Sequence, residues 1–441
     1  MARRGGRGRR HDGAHRPWHV AVVVENVPAG VDTRLRKQLD DLLAEGFSVS
    51  VVTRRAADND PYRTRPGLRL LEYPDPPEAH GPLGFAVEYL LSLAWTTLHV
   101  ARLRAGGRID VLQLCQPPDI YFPLAWAVRA AGARVVVDQR DLMPELLASR
   151  YGDRAPAGLD AALRWLERRS QAVAHHTVTV NDRLRERLVG AGADPTRLSI
   201  VRNGPVQARV ERTRPDESLR RGHRHLVCWA GKMGPQDRVD LVLQLAERVV
   251  HGLGRQDCGF TVLGDGECLD DLRRQTADRG LAPWVHFTGW VSEEEVFAHL
   301  VTADIGVDTS LQAEVSPVKA MEYMGCGLPV VSFDLPETRT ITAGAGVLVP
   351  PGDVDALARA VLDLVDDPRQ RRVLGESGRA RVRAWLCWER QSREYVRVVG
   401  PGAEEPPPQG QPYVGEQGGV WKRNSGVSQV RARRSARTLS T

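Results

Sequence analysis

Between Glu314 and Glu322 the chain sets two carboxylates that bracket seven residues, a lysine among them, in the run Glu-Val-Ser-Pro-Val-Lys-Ala-Met-Glu. Ser316 is a good N-cap, and Pro317 suits the first helical position, where a missing N–H costs nothing. Val318 to Met324 can then run as a helix until Gly325 and Gly327 stop it. Leu328 to Ser332 reads as a buried strand. Lys319 and Glu322 are three apart and share one face. A helix N-terminus with a lysine in its first turn suits an anion such as a diphosphate. A carboxylate one turn further on suits hydroxyl donors such as those of a ribose. The segment reads as built for a nucleotide with sugar hydroxyls attached; the competing reading is an amphipathic helix carrying a solvated Lys–Glu pair.

Two further loops offer cations and glycines to the same kind of ligand. Gly231-Lys-Met-Gly-Pro-Gln-Asp-Arg-Val-Asp240 joins a predicted strand to its helix, and Gly264-Asp-Gly-Glu267 is a second tight turn of that kind. Gly231, Gly264 and Gly266 permit close backbone approach. Lys232, Arg238 and Lys319 each fall on the carboxyl side of a predicted strand. Together with helix N-termini they would form a clamp that stabilises a departing nucleoside diphosphate as its charge develops. Singly, each glycine turn is ordinary strand-to-helix chemistry; the combination carries the reading.

What must position these residues is an alternation of short β-branched runs and longer helical stretches, the signature of parallel α/β sheets. In the first half, strands are predicted at His19–Glu25, Ser48–Thr53, Leu68–Tyr73, Val111–Leu114, Arg134–Asp138, Thr177–Val180 and Leu198–Val201. The series breaks at Arg202-Asn-Gly-Pro205, and residues 206–224, charged and poor in apolar side chains, are expected to be the linker. A second series begins at His225–Ala230 and continues through Phe260–Leu263, Val285–Thr288, Ile305–Val307, Leu328–Phe333 and Gly346–Val349. The expected fold is α/β, with two Rossmann-like domains at 18–205 and 225–380 whose parallel sheets face a cleft. Residues 381–400 are expected to form a terminal helix packing back, and 1–17 and 401–441 to be disordered tails.

Composition narrows the class. The 441 residues carry a net +6, but residues 1–18 hold +5 and residues 401–441 hold +3, so the body is close to neutral. The basic balance belongs to the tails and does not point to nucleic acid. No apolar segment follows the first arginines, so no signal peptide is expected. The longest uncharged apolar run, Tyr89 to Ala101, is too short to span a bilayer and is expected to be a buried or interfacial helix. The six cysteines show neither Cys-x-x-Cys spacing nor histidine partners and read as small core residues of a reducing compartment. His175 and His176, before a strand, read as packing or solvated residues.

In this order and spacing the motifs resemble the retaining, nucleotide-sugar-dependent glycosyltransferases of the GT-B fold, family 4, in the branch acting in polysaccharide biosynthesis. The resemblance spans residues 18–395 and rests on Val201-Arg-Asn-Gly-Pro205, Met233-Gly-Pro-Gln236, Leu263-Gly-Asp-Gly266, Phe287-Thr-Gly-Trp-Val291 and Lys319-Ala-Met-Glu-Tyr-Met-Gly-Cys-Gly-Leu-Pro-Val330. In the first half, Asp32-Thr-Arg34, Gln116-Pro-Pro-Asp119 and Asp138-Gln-Arg-Asp-Leu-Met-Pro-Glu145 add to it.

The resemblance implies a sugar transfer from a nucleoside diphosphate to a hydroxyl acceptor, with retention and with no metal or other cofactor. The first domain would hold the acceptor and the second the donor. Glu314 would contact donor-sugar hydroxyls and Glu322 the ribose; both are candidate catalytic residues. Gly231, Lys232, Arg238 and Lys319 would bind the diphosphate, and Gly264, Gly266, Thr288 and Val291 would lie by the base or ribose. Gly30, Asp32, Arg140 and Asp141 fall on the acceptor or sugar side. Three positions depart from the family pattern: Lys232 replaces its arginine, Asp237 its lysine, and Arg140 its histidine. The implied partners are a nucleotide sugar and a lipid-linked or growing glycan, with an anionic membrane surface as a peripheral contact and a cytoplasmic location. Two rivals stand beside this: a donor-binding subunit without activity, and a nucleotide-sugar 2-epimerase, which the Glu-x7-Glu helix disfavours.

Overall fold

The computed structural model describes residues 16–75, 81–146, 158–313 and 316–401. Glu314 and most of both predicted tails therefore lie outside the described residues. The first half forms a seven-stranded sheet from β1 (His19–Val23), β2 (Ser48–Arg54), β3 (Leu68–Tyr73), β4 (Val111–Gln116), β5 (Arg134–Gln139), β6 (His176–Thr179) and β7 (Leu198–Ile200). The order is β3-β2-β1-β4-β5-β6-β7, and every pairing is parallel. The second half is a six-stranded parallel sheet of β8 (His225–Ala230), β9 (Cys258–Leu263), β10 (Val285–Gly289), β11 (Ile305–Asp308), β12 (Val330–Phe333) and β13 (Gly346–Val349). Its order is β10-β9-β8-β11-β12-β13.

Helices cover both faces of each sheet, which is why the central strands read as continuous valine-rich runs rather than as alternating ones. Val20 to Val23, for example, are all buried. In both sheets the order reverses beside a central strand, at β1/β4 and at β8/β11. Loops at the carboxyl ends of those strands open a crevice where such sheets bind ligands. The loop after β1 carries Gly30 and Asp32, and the loop after β8 carries Gly231 to Arg238.

The segment 206–224 contains a short helix, Gln207–Arg212, and a helical turn, Glu217–Arg220. Val210 packs with Leu226 and Met324 in the second half's core. The last helix, Trp388–Val399, returns to the first sheet. There Trp388, Tyr395, Val398 and Val399 share a core with Val20, Leu35 and Val51. Tyr395 donates to Gln113 Oε1 at 2.7 Å, and Trp388 Nε1 donates to Asp41 Oδ2 at 2.6 Å.

Candidate active site

The helix bearing the Lys–Glu pair runs Val318–Cys326, with Gly327 closing it at φ 78°. Its start differs from the expected cap. Pro317 occupies the cap position, and Ser316 makes no capping bond; its Oγ is buried without a partner. Gly325 lies inside the helix, where its missing Cβ accommodates Pro205 at 3.0 Å. Tyr323 fixes the helix against the sheet: its hydroxyl accepts from Ala230 N–H at 2.9 Å and donates to Val307 O at 3.2 Å. That anchor presents Lys319 and Glu322 toward the crevice.

Lys319 Nζ lies 3.2 Å from Asp237 Oδ1 and 5.0 Å from the centre of the Trp229 ring. Burial works against its charge, but the carboxylates of Asp308, Asp237 and Glu322 outweigh it and hold the ammonium above the usual lysine range. The loop glycines belong to this packing. A Cβ on Gly231 would stand 2.5 Å from Lys319 Cε, and one on Gly264 only 2.0 Å from Gly231 O. Gly264 also has φ +119°, a left-handed conformation that disfavours any side chain. Gly266 approaches the Met233 backbone, with 2.6 Å from its would-be Cβ to Met233 O. Thr288 donates to Gly289 O at 2.7 Å, and Gly264 N–H bonds Gly289 O at 3.1 Å, so the β9 and β10 loops are stitched together. Val291 packs partly buried behind them.

The two remaining expected cations differ in their surroundings. Lys232 is exposed and makes no side-chain bond among the described residues. Arg238, at φ 51°, is held bidentately by Asp240, at 2.9 Å through both Nε and Nη2. A working clamp would need that pair to open.

Glu322 faces the first half of the chain. Burial pushes its carboxyl upward; Lys37 and Lys319 oppose this, and Glu293 adds to it. Lys37 comes from helix Thr33–Ala44, donates to Gly204 O at 2.8 Å and sits 5.0 Å from the Trp388 ring centre. Burial lowers its pKa while Glu322 supports its charge. Beside it Arg36 bonds Glu293 at 2.8 Å, a second tie between the halves. Nothing in the sequence marks Lys37: it lies in an ordinary amphipathic helix, and its partners are far away along the chain.

Asp32 and Arg140 meet in the first half, but as a structural pair. Asp32 caps helix Thr33–Ala44 through Leu35 N–H at 2.8 Å, and its other oxygen pairs with Arg140. Arg140 also bonds Asp138 at 3.0 Å, and Arg34 grips the same Asp138 at 2.8 Å. Burial alone would raise the Asp138 pKa; Arg34 and Arg140 outweigh it and hold this carboxylate well below the usual range. Arg140 is therefore engaged on both sides rather than free for a phosphate. Asp141 is half-buried, and its carboxylate makes no hydrogen bond among the described residues. Burial pushes its pKa up, with Arg140 opposing. Gly30 is set by sterics: its N–H donates to Asn59 Oδ1 at 3.0 Å, and a Cβ there would sit 1.7 Å from Asp58 O.

The chain agrees with known proteins along both halves. Residues 29–204 match the family model described as a glycosyl transferase 4-like domain, and residues 224–367 match the one for glycosyl transferases group 1. The chain belongs to this glycosyltransferase family. Among its relatives, the GDP-mannose-dependent alpha-(1-6)-phosphatidylinositol monomannoside mannosyltransferase of Mycolicibacterium smegmatis is 29% identical over 282 residues, 60% of this chain and 68% of the relative. The alpha-D-kanosaminyltransferase of Streptomyces kanamyceticus is 26% identical over 326 residues, 70% of this chain and 82% of the relative. Sucrose-phosphate synthase from Thermosynechococcus elongatus shares the GT-B fold at a TM-score of 0.70 and 17% identity, covering 86% of this chain and 98% of that one. The protein is thus a glycosyltransferase that draws on a nucleotide-sugar donor, built on two Rossmann-like domains.

Proposed function

We propose that this glycosyltransferase moves its sugar with retention onto a hydroxyl of a lipid-linked or growing glycan. The observation that carries the donor assignment is the Lys319–Glu322 helix seated over the interlocked Gly231, Gly264 and Gly266 loops. In this reading Lys319, Lys232, Arg238 and the Gly231 backbone take the diphosphate. Glu322 takes the ribose hydroxyls, and Gly264, Gly266, Thr288 and Val291 border the base. Glu314 contacts the donor sugar, while Gly30, Asp32, Arg140 and Asp141 shape the acceptor side. The acceptor oxygen attacks the anomeric carbon from the face the diphosphate leaves. The C–O bond to phosphate breaks as the new glycosidic bond forms, and the acceptor proton passes to the departing phosphate oxygen.

Support for a lipid-linked acceptor comes from helix Gly81–Gly106, which from Val87 to His99 turns polar side chains inward and apolar ones outward. Ser92, Thr96 and His99 are buried, whereas Leu90 is 65% exposed and Val87, Leu91, Trp95 and Leu98 are exposed with it. Among the described residues no helix is long and apolar enough to cross a membrane. An outward apolar face of this kind fits a bilayer surface.

One observation favours the inactive-subunit reading: Asp237 occupies Lys319 where a further cation would be expected. Thermal shift and hydrolysis assays with a panel of UDP-, GDP- and dTDP-sugars decide between them. Stabilisation by one donor with slow release of its sugar supports the transferase. Stabilisation without any turnover toward lipid or glycan extracts supports the subunit, and stabilisation by none overturns the donor site.

A further inference from the structure

Two residues past the end of β1, at the same sheet end as Gly30 and Asp32, stands Glu25. It is 2% exposed and makes no hydrogen bond or ion pair among the described residues. Its charged neighbours are Glu88, on helix Gly81–Gly106, and Arg54, at the end of β2. Arg54 Nε is itself buried without a partner, and its Nη1 lies 3.7 Å from Asp75. Of the hydroxyls nearby, Tyr73 bonds Ser92 at 3.1 Å and Ser92 bonds Tyr121 at 2.6 Å, while Thr96 Oγ1 is buried without a partner among the described residues. A buried carboxylate without a partner costs stability, and so does a buried N–H without one. We propose that Glu25 and Arg54 form the subsite that holds the acceptor, with a sugar or polyol hydroxyl donating to Glu25 and accepting from Arg54. A hydroxyl is the simplest group that supplies both missing partners at once. The surplus of acid from Glu88 and Asp75 selects against an anionic headgroup at this point.

The overlying helix indicates what the polyol is attached to. It is 26 residues long, about 39 Å at 1.5 Å per residue. The strands of that sheet region have five to seven residues, about 23 Å at most. Because the helix is the crossover from β3 to β4, it runs against the strands. Its first half, with Glu88, projects past their carboxyl ends over Glu25. Its inner face carries Ser92, Thr96 and His99 before the buried Val100 and Leu103, and its outer face is apolar up to Leu98, so one segment can cover a hydroxylated head and border an apolar tail.

This inference rests on the transferase reading, and the test separates the two. Octyl α-mannoside, octyl β-glucoside and octyl β-galactoside are titrated calorimetrically below micelle formation into the full chain, Glu25→Gln and Arg54→Met, with GDP and UDP in parallel. The expected result is that the unaltered protein binds at least one octyl glycoside. Both variants should bind it at least tenfold more weakly while keeping nucleotide affinity within twofold. Glycoside binding unchanged in both variants overturns the subsite, and so does a protein that binds nucleotide but none of the three glycosides. A protein that binds neither nucleotide overturns the donor site beneath both readings.

Discussion

Lys319 Nζ reaches Asp237 Oδ1 at 3.2 Å, so the cation we propose for the diphosphate is paired with a carboxylate. A diphosphate must compete with that carboxylate, or displace it, to reach the ammonium. Asp237→Asn removes the competing charge while keeping the loop's shape. We expect nucleoside diphosphate binding to strengthen about three- to tenfold, and Lys319→Ala to weaken it by ten- to a hundredfold, the range of one or two charge-assisted bonds. Calorimetric titration with UDP and GDP reads both; weaker binding in Asp237→Asn would instead make Asp237 part of the ligand's own shell.

Lys37 opposes the upward pull of burial on Glu322. Removing it leaves the carboxylate without its cross-cleft cation, so its pKa rises further. If the ionised Glu322 accepts ribose hydroxyls, Lys37→Met shifts the acidic limb of nucleotide binding to higher pH. Binding profiles between pH 5 and 8 would show this, and an unmoved limb would count against the role given to Glu322.

Burial raises the Glu25 pKa from 4.5 to about 7, with Glu88 adding to the rise and Arg54 opposing it. A raised acid pKa means the folded protein holds its proton after the unfolded chain has released it. Stability is thus fully present below pH 4.5 and falls as pH climbs toward 7. Glu25→Gln removes that loss, worth at most about 3 kcal/mol at pH 8. Its melting temperature should exceed the parent's at pH 8 and match it near pH 4, while acceptor binding is impaired.

At Gly264 a Cβ would meet Gly231 O at 2.0 Å in a backbone at φ +119°. Gly264→Ala should cost on the order of 3 kcal/mol, from strain and overpacking together. Urea unfolding measures the cost. Nucleotide binding should fall with it, because the two loops define one surface.

The buried Asp138 is shared by Arg34 and Arg140. Asp138→Asn leaves Arg34 without its counter-charge and Arg140 with Asp32 alone, and should cost about 3–5 kcal/mol. Denaturant titration checks it; a loss below 1 kcal/mol would mean the network relaxes around the amide.

Both sheets were legible in the sequence because each buried strand is a short β-branched run with a helical period on either side. β3 and β8 coincide with their predicted spans. The Lys319–Glu322 face was legible too, since three residues of helix geometry fix it. What the sequence hid are pairings whose members lie far apart along the chain. Arg34 meets Asp138 across 104 positions, and Tyr395 meets Gln113 across 282. Arg140 reads as a free cation until the fold puts two acids beside it. Glu25 ends an apolar run and looks like a strand terminus, yet only tertiary burial leaves it without a partner. Two partners are local: Asp138 lies two residues from Arg140, and Asp240 two residues from Arg238, where a left-handed backbone at φ 51° closes the pair.

The last helix belongs to the core of the first sheet, although it is encoded after the whole of the second. The half built on the first sheet is therefore a discontinuous genetic module, written in two pieces around the half built on the second. A recombination point placed near residue 205 would split that module and leave Tyr395 and Val398 with a mismatched partner. Exchanging donor specificity between relatives should succeed only where the inserted piece runs between the two crossings, with 388–399 kept from the parent of the first sheet.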